Sequence, residues 1–363
     1  MIPYAALGAV LLALAISALA TPLSKRVATR LGMLDMPSRH KAHSRPAPLL
    51  GGSAILGAIL GPSLLAIALV RIWAANGLPS WLPDEMKIHV AGAAGRAPMA
   101  LGILLGSLAM HVLGIIDDRK ALGPWVKLTA QLAICVPVVM LCNVHVLTVA
   151  GEPISTIVSI LWLALITNAF NFLDNMDGLS AGVAAICCAA LLAASAGIGQ
   201  LFVPAMLCLM LGALLGFLIY NFPPAGIFMG DAGSLVVGYF LGVLSMLTTY
   251  VRPDQPYYMY GMFVPLVLLA VPLYDMLSVT VLRLRRRASP MVGDRRHFSH
   301  RLVRRGMSVP KAVLTVYLCT AQTATAAILL TRVDAVGAIL VFAQTLAVIL
   351  IVALLESGDS KAT

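Results

Sequence analysis

Apolar runs long enough to cross a bilayer recur along the whole chain, and short polar stretches separate them. Windows of roughly 20 apolar residues predict about eleven membrane-spanning helices. They lie near 2–20, 50–70, 98–116, 124–142, 154–172, 181–198, 201–220, 232–249, 260–282, 309–331 and 335–355. The pattern implies an all-α polytopic membrane protein, with residues 1–363 forming a single integral membrane domain and no soluble domain attached. The tightest connection, at 197–200, lies between two of these segments, and losing either one would invert everything after it.

Composition agrees with this pattern. Hydrophobic residues make up 60% of the chain and charged residues 11%, and the mean hydropathy is +0.94, values that exclude a soluble domain with a solvated surface. The formal charge of +10 matters less than where the Lys and Arg fall, and no nucleic-acid partner is expected. Lys25, Arg26 and Arg30 follow the first run, which favours an amino terminus outside and a cytoplasmic carboxyl terminus. Loops near 21–49, 117–123, 173–180, 221–231 and 283–308 are then cytoplasmic, and Arg71, Lys87, Arg96, Arg252 and Arg332 are the basic residues left outside. Ala18-Leu19-Ala20 resembles a signal-peptidase site, but no positive stretch precedes the run, so an uncleaved first helix is expected. The six cysteines lack metal-ligand spacing and read as small core hydrophobes.

Candidate chemistry sits where polar residues break the apolar pattern. In NAFNFLDNMDGLSAG, Asn168 to Gly182, the residues Asn171, Asp174, Asn175 and Asp177 gather where a span ends. Carboxylates are costly in hydrocarbon, so this cluster points to a cation or a polar substrate, although Asp177 or Ser180 can also cap the next helix. In GIIDDRKALGPWVKLTAQ, Asp117 and Asp118 repel each other, which favours a bound cation or a shifted pKa. The plainer reading makes them helix-ending polar residues and Lys127 a snorkelling lysine. Asp231 lies between Gly230 and Ala232-Gly233, before a predicted helix where backbone N–H groups approach a phosphate while the carboxylate meets a cation. It is the best metal-ligand candidate. Mg²⁺ takes one or two protein carboxylates and completes its shell with water and phosphate oxygens.

Two basic loops complete the picture. Arg39, His40, Lys41, His43 and Arg45 either enforce topology and touch anionic membrane lipids, or use Lys41 and His43 to hold a lipid phosphate. SPMVGDRRHFSHRLVRRGMS carries Arg295, Arg296, His297 and His300, suited to a diphosphate. The His pair has no further ligand for a closed zinc site. Asp275, inside a span in VPLYDMLSV, fits a buried polar contact or a site role.

DDR with a downstream KLTAQ, NFLDNMDG, YNFPPAGIFMGDAGS and SPMVGDRRHFSHRL occur in this order between Asp35 and about Arg305. In these motifs the chain resembles the polyprenyl-phosphate N-acetylhexosamine-1-phosphate transferase family. The resemblance implies transfer of a sugar 1-phosphate from a UDP-N-acetylhexosamine, most simply UDP-GlcNAc, to undecaprenyl phosphate at the cytoplasmic face of a bacterial inner membrane. UMP is released and Mg²⁺ is required, with Mn²⁺ as the alternative ion, and a homodimer is the assembly it allows. It implies Asp117 and Asp118 as catalytic groups, Asp231 and Asp118 as metal ligands, and Asn171, Asp174, Asp177 and Asn221 around the nucleotide. Lys127, Arg295, Arg296, His297 and His300 would meet the phosphates and sugar, and Lys41 and His43 the lipid phosphate. The DRRHFSHRL loop is similar to the WecA and TagO branch rather than to MraY, with Ser299 where that branch usually has histidine and His40 where the first loop often has arginine. The competing readings are an MraY-like transferase and a secondary transporter. The transporter would need carboxylates near the bilayer midplane and repeated halves.

Overall fold

A computed structural model describes residues 2–36, 46–195, 200–250, 258–285 and 297–357. The helices are α1 (Ile2–Arg30), α2 (Gly51–Asn76), α3 (Asp84–Arg119), α4 (Pro124–Leu141), α5 (Glu152–Leu173), α6 (Leu179–Ser195), α7 (Phe202–Asn221) and α8 (Asp231–Leu247). They continue as α9 (Val264–Leu268), α10 (Ala270–Arg285), α11 (Phe298–Arg304), α12 (Val309–Leu330) and α13 (Ala335–Ser357). Between α1 and α2, β1 (Leu34–Asp35) pairs antiparallel with β2 (Ala47–Pro48). An apolar chain without water must satisfy its backbone internally, and the helix does so within each segment. Proline stands in the first turn of α4, α5 and α12, where its missing N–H is not needed.

Each of the eleven expected segments falls on a helix, but length and apolar composition support fewer crossings. Among the described residues, α1 to α5, α7, α12 and α13 qualify, which makes eight. The expected span 260–282 is split: α9 and α10 meet at a 60° bend and together would make a ninth. The helices α6 and α8 have 17 residues each, about 25 Å at ~1.5 Å per residue, against a hydrocarbon core of ~30 Å. The stretch preceding the expected span at 98 is also helical, since α3 begins at Asp84 and runs for 36 residues.

The helix α8 is the central post. Every side chain from Ala232 to Met246 is buried, against α3, α5, α2 and α6. Small residues let backbones touch there. A Cβ added to Gly52 would lie 2.2 Å from Gly233 Cα, and one added to Gly114 would lie 2.4 Å from Ala232 Cα. The helices α1 and α7 use the same device and add a Ser17 hydroxyl donating to Ala213 O at 2.7 Å. The five cysteines before Cys319 are buried, as expected of core hydrophobes.

Candidate active site

The amino terminus of α8 organises the site. The loop before it is tied down by Asn221, whose Nδ2 donates to Ile227 O at 2.9 Å while its Oδ1 accepts Gly178 N–H at 3.1 Å. Gly51 and Gly52 N–H donate to Phe228 O and Met229 O, both at 3.0 Å, which joins the loop to the start of α2. Gly230 turns the chain into α8 at φ +69°, a conformation that favours glycine. A Cβ there would sit 2.6 Å from Asp118 Oδ2, so glycine also makes room for that carboxylate.

Asp117 and Asp118 diverge from the end of α3. Asp118 reaches α8, where Oδ1 accepts Asp231 N–H at 2.9 Å and Oδ2 accepts Ala232 N–H at 3.1 Å. It supplies from another helix the cap and the negative charge that a helix start favours. Asp117 turns the other way, accepting Leu122 N–H at 2.6 Å on Oδ1 and facing Lys127 Nζ at 2.8 Å through Oδ2. Separate partners relieve the repulsion of two adjacent acids.

Lys127, in the first turn of α4, closes the centre. Its ammonium meets Asp117 Oδ2, Asp231 Oδ2 and Asn171 Oδ1, the last at 3.1 Å, so its three donors have three acceptors. Asn171 Nδ2 donates to Asp231 Oδ1 at 2.8 Å and lies 2.9 Å from Ser234 Oγ. Beneath them, Asn168 Nδ2 donates to the buried Gln131 Oε1 at 2.7 Å. The ends of α3, α4, α5 and α8 thus meet on one ammonium. Its side chain is 15% exposed and that of Asp117 11%, so the attraction is little screened by water.

The half-buried Asp174 lies just beyond α5. Burial first, and then the negative charges of Asp231, Asp118 and Asp177, push its carboxyl well above the usual carboxylate range. Asp177 Oδ2 accepts Ala225 N–H at 2.9 Å and so braces the loop before α8. The Asn175 amide donates to Phe172 O at 2.8 Å, and its oxygen accepts the Ser299 hydroxyl at 2.6 Å. That bond docks α11 on the 171–178 segment. His297 and His300 are both buried, with ring centroids 6.5 Å apart. Lys41, His43, Arg295 and Arg296 lie outside the described residues.

Among the described residues, no three His, Cys, Asp or Glu side chains form a ready metal cage. The centre nevertheless fits Mg²⁺, because all its acceptors are hard oxygens and a cation, the Lys127 ammonium, already stands among Asp117, Asp231 and Asn171. A cavity of about 500 Å³ opens beside Asp118, lined also by Leu31, Gly32, Met33, Leu34 and Arg119.

Two groups escaped the sequence reading, and a third was left open by it. Arg283 is buried with its guanidinium 5.4 Å from the Phe172 ring centre. His111 lies inside α3, with Nδ1 2.8 Å from Ala232 O and Nε2 3.1 Å from Ser53 Oγ, and a histidine within an apolar span was the available signal. Asp275, left between two readings, is buried against His297.

Helical spans with a buried acid–lysine centre at the meeting of helix ends define a polytopic membrane protein with a polar site. Sequence comparison gives the particular family. The sequence model of glycosyl transferase family 4 matches residues 100–249, which contain the acidic centre. A probable undecaprenyl-phosphate N-acetylglucosaminyl 1-phosphate transferase of Bacillus subtilis is 30% identical over 306 residues, covering 82% of this chain and 77% of the relative. A decaprenyl-phosphate N-acetylglucosaminephosphotransferase of Mycolicibacterium smegmatis is 33% identical over 326 residues, 82% of this chain and 75% of the relative. An undecaprenyl-phosphate alpha-N-acetylglucosaminyl 1-phosphate transferase of Escherichia coli K12 is 25% identical over 323 residues, covering 84% and 78%. The chain belongs to glycosyl transferase family 4, the family of polyprenyl-phosphate N-acetylhexosamine-1-phosphate transferases.

Proposed function

We propose that this protein transfers N-acetylhexosamine 1-phosphate, most simply GlcNAc 1-phosphate, from a UDP-sugar to undecaprenyl phosphate, forming the undecaprenyl-diphosphate sugar and UMP. The observation that carries the reading is the Lys127 ammonium held by Asp117, Asp231 and Asn171 where four helices end. The names of the relatives support the two phosphate-bearing partners. The bias of basic residues toward one set of loops supports a cytoplasmic site in a bacterial inner membrane. A transporter reading finds no support in carboxylates gathered at helix ends.

Asp231 and Asp118 would hold Mg²⁺, with Asp117 beside them. When bound, the ion would supply charge neutralisation on the diphosphate. Lys127 would exchange one of its three protein acceptors for the phosphate oxygens that gain charge as UMP departs. Asn171, Asp174, Asp177 and Asn221 form the nucleotide side, and His297 and His300 the diphosphate and sugar side. Asp117 orients the acceptor phosphate, whose approach the cavity beside Asp118 and Arg119 accommodates. An oxygen of that phosphate attacks the sugar-bearing phosphorus, a new P–O bond forms, and the bond to the oxygen bridging to UMP breaks. The acceptor is already anionic near neutral pH, so the step needs positioning and charge neutralisation more than proton removal.

The test is UMP release by purified protein in detergent with UDP-GlcNAc, undecaprenyl phosphate and Mg²⁺. Release that depends on the lipid and the metal supports the reading. No release with UDP-GlcNAc or any other UDP-amino sugar from folded protein overturns it.

A further inference from the structure

We infer that Asp275 is a positioning residue for the transfer, setting the His297 imidazole and the start of α11 against the site. This rests on the functional reading above.

Asp275 lies in α10 with 2% of its surface exposed. A carboxylate is costly in such surroundings unless fully partnered. Both its oxygens are used, and both on the same short stretch of chain. His297 Nδ1 lies 2.9 Å from Oδ2, and Phe298 N–H donates to Oδ1 at 2.9 Å. A carboxylate only accepts, so Nδ1 carries the proton, and in the neutral ring the lone pair is on Nε2.

The held ring stands against the site. Its centroid is 6.1 Å from that of Phe172, edge to face, and Phe172 follows the Asn171 whose amide holds Asp231. Ser299 fixes the next part of α11 to Asn175. A seven-residue helix has little stability of its own. Its place is set by the burial of Phe298 and Leu302 and by side-chain bonds, among them the pair that Asp275 accepts at its start.

The experiment uses the full chain in detergent, as wild type, Asp275→Asn, His297→Ala and the double variant. Asparagine keeps the shape but cannot accept from both donors through carboxylate oxygens. Asp275→Asn is expected to lower kcat/KM for the UDP-sugar by about 10- to 100-fold, the effect of removing the partner that orients a working imidazole. In the His297→Ala background the same change should cost less than about threefold, because its route is gone. Equal losses in both backgrounds would mean a merely structural role and overturn the inference.

A second readout does not depend on turnover. Deuterium labelling of the Phe298 amide and the first turn of α11, followed by mass spectrometry, should run about tenfold faster in Asp275→Asn, the factor set by losing one charge-assisted hydrogen bond from Phe298 N–H. An unchanged rate overturns the anchoring. If wild-type protein releases no UMP while labelling accelerates, the functional reading falls and the anchoring stands. If Asp275→Asn does not fold, Asp275→Glu serves in both assays. It keeps a displaced carboxylate, so smaller changes in the same directions are expected, and unchanged labelling again overturns the proposal.

Discussion

Where α3 ends and α8 begins, polar bonds run between elements and carry charge: Asp118 to the α8 backbone, Lys127 to Asp117 and Asp231, and Asp177 to the loop before α8. Among the described residues, the ties at the opposite ends of these helices are neutral apart from one surface ion pair. Ser159 Oγ accepts Val146 N–H at 2.8 Å, Ser155 Oγ donates to Val146 O at 2.6 Å, and Gln200 Nε2 donates to Leu247 O at 3.0 Å. The ion pair Lys87–Asp84 there is one turn of α3 at the surface, a kind that contributes little. One bundle thus shows that helix ends can be joined without buried charge. Half-buried carboxylates around an ammonium are a costly joint by comparison. Among the described residues they occur at one end alone, where the proposed function gives them a ligand to hold and helix packing does not require them.

That contrast can be tested at both ends. The largest effect is expected for Asp231→Asn, which keeps the shape of the side chain but removes the central charge and one of its two acceptor oxygens. Transfer should fall by at least about 10³-fold, measured as UMP release, with thermal unfolding close to wild type. Lys127→Met leaves Asp117 and Asp231 facing one another. Activity should drop by about 10²-fold, and added Mg²⁺ should raise the unfolding temperature more than in wild type, because the ion then has no ammonium to compete with.

Packing around α8 gives the next largest effect. Gly114→Ala drives a methyl into the Ala232 backbone and should cost about 1–3 kcal/mol in thermal or denaturant unfolding. Gly57→Ala, where a Cβ meets nothing within 4 Å, should leave stability level or slightly higher.

A smaller effect concerns pH. The Asp174 carboxyl is raised in the folded protein, so the folded state binds more protons than the unfolded state once pH passes the ordinary carboxylate range. Its contribution to stability therefore falls as pH rises toward the raised value. Asp174→Asn should flatten that part of the stability profile and raise the unfolding temperature at neutral pH without Mg²⁺. Least of all, Gln200→Ala at the neutral end should cost no more than about 1 kcal/mol and leave turnover within about twofold. A large activity loss there would dissolve the distinction between the two ends.

Much of the architecture was legible because hydropathy is local. The apolar runs became helices, and the acids that interrupted them fell at or just beyond helix ends, apart from Asp275 within α10. The number of crossings depends on length as well as hydropathy: eight helices qualify by both among the described residues, and α6 and α8 are apolar but 17 residues long. Hydropathy also does not separate centre from periphery. The helix α13 is at least as apolar as α8, yet it exposes Leu346, Leu350 and Leu354 while α8 is enclosed. In the site, Asp117, Asp118, Asn171 and Asp231 were legible as polar residues with no reason to lie in an apolar chain. Their partners were not. Lys127 was expected at phosphates, and it bridges two of the acids. Asn221 and Asp177 were expected at the nucleotide, and their bonds brace the loop before α8.

The sequence by itself determined that the chain is a helical membrane protein, where its helices lie, and which polar residues interrupt them. Those properties follow from backbone groups that must pair within each segment and from the cost of charge in hydrocarbon. Only the tertiary structure decided which helix ends meet. It set Asp118 on the start of α8, Lys127 among three acceptors, and Asp275 on His297 across 22 residues. Such bonds depend on how helices pack through small residues and interlocking side chains, a property of pairs of segments that no single stretch of chain contains.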